Sequence, residues 1–86
     1  MVSMKSKKEY DMERIIEILE EILPGEDVAN EESLVDDNIL DSFAIISLVA
    51  ALEEEYGIVI SPAELVPANF NSAAALHEMV ERLLDD

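Results

Sequence analysis

Cysteine and tryptophan are absent from the 86 residues, histidine occurs once, glycine twice and proline three times. Without cysteine there is no disulfide framework, no thiolate metal site and no thiol nucleophile, and one histidine does not make a metal cluster. That fits a reducing compartment. Basic residues are also scarce: 5 Lys and Arg stand against 21 Asp and Glu, a formal charge of -16. Such a chain repels nucleic acid and anionic membrane surfaces and favours basic protein partners. No apolar run approaches the length of a membrane span, and the three lysines of residues 1–8 are followed by no signal-peptide core. The expectation is a cytoplasmic monomer without membrane insertion. A chain of this size buries only about 60% of the surface it exposes when unfolded, which leaves no room for a deep catalytic cleft. A self-contained enzyme is not expected on that ground.

What is present argues for a folded chain, because half the residues are hydrophobic while 30% are charged. Residues 1–8 read as a flexible basic segment and 9–86 as a single domain. From Glu9 onward only Arg14 and Arg82 face all 21 acids, a net charge of -19. Acidity of this kind keeps an apolar-rich domain in solution whatever else it does.

The hydrophobic pattern is helical. Met12, Ile15, Ile16, Leu19, Ile22 and Leu23 recur at the spacing of one helix face, and Pro24-Gly25 ends that helix. Its start is capped either by Asp11 or by a capping box of Ser6 with Glu9. Residues 26–41 lack sustained periodicity and predict a long loop anchored by Val28, Leu34, Val35, Ile39 and Leu40. A second helix is expected from Asp41-Ser42 to Tyr56, stopped by Gly57, with Ile58-Val59-Ile60 as an extended connector. Ser61-Pro62-Ala63-Glu64 combines a cap, a proline at the first helical position and a capping-box glutamate, so a brief third helix is expected there, ending near Pro67. Asn71 or Ser72 then caps a last helix with Ala73, Leu76, Met79, Val80 and Leu83 on its inner face. The fold class is all-α, a small four-helix bundle with a long first loop and a short third helix.

Helix two is unusually apolar, with Ser47 the one polar residue in Phe43–Leu52. If Phe43, Ile46, Val49, Leu52 and Tyr56 point inward, Ile45 and either Leu48 or Ala50 turn toward solvent. Either this strip contacts another protein, or helix two is central and covered all round. Asp41-Ser42 taken alone is an ordinary helix start, whose free amides and dipole also suit a phosphate on Ser42. No Gly-x-Ser-x-Gly turn marks Ser42 as a hydrolase nucleophile, and His77 reads as a surface residue of the last helix. Asp36, Asp37, Asn38 and Asp41 suggest a calcium loop, but Leu40 and Ser47 then fall at the fifth and twelfth positions, where an oxygen ligand and a glutamate are required.

The run Asp36-Asp37-Asn38-Ile39-Leu40-Asp41-Ser42-Phe43, with Ile46, Leu48-Val49, Leu52-Glu53-Glu54-Glu55-Tyr56-Gly57 and Ile60 following, resembles the acyl carrier and peptidyl carrier family over about Met12 to Leu84. Two details depart from the family: Phe43 stands where Leu or Met is usual, and Asn38-Ile39-Leu40 replaces a common glycine. The resemblance implies a carrier modified by other enzymes, with Ser42 esterified by 4'-phosphopantetheine from coenzyme A and Asp41 supporting the attachment site. An acyl or aminoacyl group would ride on that arm as a thioester. The implied partners are a phosphopantetheinyl transferase, adenylation or acyltransfer enzymes, and a downstream synthase or transferase, met through Phe43, Ile45, Ile46 and Val49. Ala44, Ile45 and Ser47 stand where fatty-acid carriers commonly have acids, which favours an aminoacyl or D-alanyl carrier. The Asn69-Phe70-Asn71-Ser72 turn is similar to that of aminoacyl carriers. The other class that the residues allow is an acidic helical adaptor with no prosthetic group.

Overall fold

The computed structural model describes residues 7–85, with side chains from Met12 onward. Its elements are α1 (Lys7–Ile22), α2 (Ser42–Tyr56), a 3-10 turn (Pro62–Glu64), α3 (Pro67–Phe70) and α4 (Ala73–Asp85), and no strand occurs among the described residues. α1 packs on both α2 and α4, and α4 closes on α3. The face foreseen for α1 is the one that is covered: Ile15 and Leu19 are fully buried, while Met12, Ile16, Ile22 and Leu23 pack on the core from its edge. Asp11 does not cap this helix, because the backbone is already helical from Lys7. The alternative box of Ser6 and Glu9 lies outside the described residues.

Pro24-Gly25 ends α1 as its chemistry requires, with Gly25 at φ 90°, a conformation that a side chain would strain. The segment that follows holds its shape by burying Val28, Leu34 and Leu40, with Val35 and Ile39 half-covered beside them. α2 then runs between the predicted limits. Asp41 caps its start, and Gly57, at φ 66°, closes its end by donating its N–H to the Glu53 carbonyl at 2.9 Å. The connector alternates as an extended chain should, Ile58 and Ile60 buried and Val59 out in solvent. The Glu53 carboxylate accepts the Ile60 N–H at 2.9 Å and ties the connector back to α2.

Three sequence expectations fail after this point. Ser61 makes no side-chain cap, and Glu64 does not reach back to it. Instead Glu64 receives the Asn69 Nδ2 at 3.1 Å and both terminal nitrogens of Arg82 at 2.9 Å, which ties the 3-10 turn to α3 and α4. Pro67 does not end a third helix but opens α3, one short turn whose final residue, Phe70, is fully buried. Proline suits that position because the first turn has no use for its missing N–H. His77 is also not a surface residue: α4 turns it inward to 7% exposure, with Nε2 3.6 Å from a Glu81 carboxylate oxygen and without a hydrogen bond. The i+3 and i+4 neighbours of Ala73, Met79 and Val80 fix that face, and His77 falls on it.

Both arginines of the acidic body are engaged. Hydrogen bonds to Glu55 and then to Glu17, each 3.0 Å, hold the Arg14 guanidinium charged far above its usual range and join α1 to α2. The Arg82 hydrogen bonds hold the Glu64 carboxyl below the ordinary glutamate range. A depressed carboxylate contributes its stability above the unfolded value of about 4.3 and loses it as pH falls through the folded value. Arg82→Ala is therefore expected to lower the melting temperature at neutral pH and to leave it level with the parent in acid. A gap that persists undiminished below pH of about 3 would contradict this.

Candidate functional site

The site is built where the long loop enters α2. Leu34 donates its N–H to the Asn71 carbonyl at 2.9 Å and accepts the Leu40 N–H at 2.8 Å, so residues 34–40 form a closed loop with both ends on the core. Within it Asp37 donates to the Ser33 carbonyl and Asn38 to that of Val35. Asn38 has φ 61°, the left-handed conformation that asparagine tolerates better than most residues and that a glycine would serve. Leu40 is buried, and Asp41 is the next residue out.

Asp41 is extended, and its Oδ1 accepts the Ala44 N–H at 2.9 Å while its carbonyl accepts that of Ile45. The first helical amides, those of Ser42 and Phe43, have no acceptor among the described residues. Ser42 is exposed, and its hydroxyl has no partner among them either. An exposed hydroxyl beside two open N–H groups at the positive end of a 15-residue helix is suited to carry a phosphate, whose charge those amides stabilise. The surrounding net charge of -19 opposes that anion, which makes the two amides the local compensation. Among the described residues no cluster of His, Asp and Glu is arranged to hold a metal.

Comparison with protein-family models matches residues 13–83 to the phosphopantetheine attachment site family. The chain belongs to that family of acyl and peptidyl carriers. Comparison with curated proteins finds no significant match. Carriers of this family hold 4'-phosphopantetheine covalently on a serine and are substrates of other enzymes, not catalysts. The match runs from Glu13 in α1 to Leu83 in the last turn of α4, and the all-helical bundle is that of a carrier domain.

The phase of α2 differs from the expected one. Phe43 and Ile46, placed inward by the sequence reading, are 82% and 66% exposed, whereas Leu48, expected as a candidate for the outer strip, is fully buried with Leu52. Ile45 and Val49 are half-covered and packed on the core, as are Ala44, Ala51 and Tyr56. A charge at Ile45 would thus disturb the fold itself. An apolar stretch with one polar residue in ten leaves two stripes open to periodicity. The deciding signal was Ser47 with Glu54: seven apart, they lie on one side, and Phe43, Ile46 and Ala50 share that exposed side.

The turn before α4 holds a residue whose role was missed. Asn69 supports Glu64, Phe70 fills the core and Ser72 caps α4 by accepting the Ala75 N–H at 3.0 Å. Asn71, weighed only as a cap, instead reaches the loop in front of α2: its Oδ1 accepts the N–H of Val35 at 2.9 Å and of Asp36 at 3.1 Å, and its Nδ2 donates to Asp36 at 3.2 Å. Only a planar amide offers an acceptor and a donor side by side in this way.

Proposed function

We propose that Ser42 is the residue that carries the phosphopantetheine, and that the chain is an aminoacyl carrier loaded by an adenylating enzyme. The observation that carries the first part is the exposed Ser42 hydroxyl beside the open amides of Ser42 and Phe43. Attachment from coenzyme A forms an Oγ–P bond at Ser42 and breaks the pyrophosphate, releasing adenosine 3',5'-bisphosphate, while the hydroxyl proton passes to a base. The adjacent carboxylate, that of Asp41, is engaged with the Ala44 N–H as the helix cap, so base and Mg2+ belong to the transferase. Asp41 serves by holding the helix start rigid. When attached, the group supplies a thiol on a flexible arm, on which the aminoacyl cargo rides as a thioester. A broad-specificity transferase with coenzyme A is expected to add one phosphopantetheine by intact mass.

Support for an aminoacyl cargo comes from the surface around Ser42. Phe43 and Ile46 project beside it, and Ala44, Ile45 and Ser47 supply no acid within the next turn. Partner choice then rests on apolar contact, while Asp36, Asp37, Glu54 and Glu55 raise the encounter rate with basic enzymes. Phe43→Asp is expected to keep the fold, since an acid in the first turn favours the helix dipole. Loading of the holo-protein by its adenylating enzyme should fall by about tenfold or more in kcat/KM, as when a central aromatic anchor is lost. Unchanged loading would remove Phe43 from the interface.

A further inference from the structure

We infer that Asn71, far from Ser42 in sequence, is a positioning residue for phosphopantetheine attachment: it locks the loop in front of α2 so that Asp41-Ser42 is presented in one conformation. This rests on the reading of Ser42 as the attachment residue.

Four hydrogen bonds run from Asn71 to the loop. Its carbonyl takes the Leu34 N–H at 2.9 Å, its side-chain oxygen those of Val35 and Asp36, and its amide nitrogen reaches the Asp36 carboxylate at 3.2 Å. From Leu34 the coupling is short, because the Leu34 carbonyl holds the Leu40 N–H at 2.8 Å and Asp41 follows directly. Asp41 itself caps α2, so Asn71 acts on the helix start only through the loop that leads into it. What it fixes is the backbone of residues 34–36, the far side of the closed loop whose near side enters the site. The loop carries a left-handed Asn38, half-exposed anchors at Val35 and Ile39 and two turn hydrogen bonds of its own, from Asp37 to Ser33 and from Asn38 to Val35, so the Asn71 side chain supplies the hydrogen bonds that tie residues 35–36 to the turn before α4. A transferase that binds apo-protein with the loop ordered would then meet a mixture, and its apparent affinity would drop by the fraction still ordered.

The test uses the full-length apo-protein, coenzyme A and a broad-specificity phosphopantetheinyl transferase, at a temperature where circular dichroism shows every variant folded. Asn71→Ala is expected to raise the apparent KM for the apo-protein about tenfold with kcat changed less than about twofold, the mark of a lost ground-state arrangement. Asn71→Asp keeps the acceptor but sets a second carboxylate oxygen against Asp36. Combining it with Asp36→Asn restores a complementary pair with donor and acceptor exchanged, and KM should return to within about threefold of the parent. Leu83→Ala, at a half-buried position of α4 away from the loop, serves as the control that lowers stability alone. Amide exchange at Val35 and Asp36 should quicken in Asn71→Ala and not in Leu83→Ala. The inference is overturned by an unchanged KM in Asn71→Ala, or by the same rise in Leu83→Ala. A parent chain that accepts no phosphopantetheine overturns the Ser42 reading, whereas a parent modified at Ser42 with an unaltered Asn71→Ala KM overturns only the positioning role.

Discussion

Ser42→Ala is expected to accept no phosphopantetheine at all, with the fold unchanged. Among the described residues the side chain of Ser42 makes no hydrogen bond, the cap belongs to Asp41, and alanine has the highest intrinsic helix propensity. Its effect on stability should stay within about 0.5 kcal/mol, as for other surface substitutions. No other described serine is equipped to substitute. Ser72 has its hydroxyl committed to the Ala75 N–H, and Ser33 is half-buried under the loop. Ser61 precedes a three-residue 3-10 turn with too little dipole to hold an anion. Ser47 is the closest rival, exposed on the same face of α2, but it stands mid-helix where neighbouring amides are already bonded to carbonyls. Intact mass after reaction with coenzyme A and an active transferase decides the matter. Uptake by Ser42→Ala would move the site to another serine, and no uptake by the parent would favour an acidic adaptor without a prosthetic group.

Much of this fold could be read before any coordinates, and the parts that could not share one cause. Local chemistry announces itself: Pro24-Gly25, Asp41 and Gly57 each act within a turn of their own position, and the structure places α2 between the expected limits. Long-range partners do not. Glu64 has the spacing of a capping box, yet Arg82, eighteen residues on, offers a charge-assisted pair that outweighs a backbone amide. Asn71 looks like a cap until the loop, 35 residues earlier, is folded against it. His77 reads as solvent-facing by type, and only the packing of α4 on α1 and α3 turns it inward. The exposed helix start at Asp41-Ser42 was legible because its setting is local, a capped first turn after a loop. The exposed apolar side of α2 was not, because in Phe43–Leu52 the apolar residues cover the whole circumference and the phase of α2 is set by what it packs against.

Leu34→Ala is expected to be the most damaging substitution in the loop, at about 2–5 kcal/mol, the usual cost of removing a fully buried leucine. Against a total of roughly 5–15 kcal/mol for a domain, that is a large share. Leu34 sits in a segment with no regular structure, where a leucine would ordinarily matter little, but it is 0% exposed in the core formed with Leu19, Leu48 and Leu76. Its backbone is also the joint of the loop, N–H on the Asn71 carbonyl and carbonyl under the Leu40 N–H. Cutting back the side chain leaves both hydrogen bonds possible but removes the packing that holds them together. The urea midpoint should drop accordingly, with the slope unchanged if the native core is otherwise intact. Ile39→Ala, half-covered in the same loop, should cost clearly less. A loss below about 1 kcal/mol for Leu34→Ala would mean that the loop collapses into the vacancy, and that its shape is set by the hydrogen bonds rather than by the core.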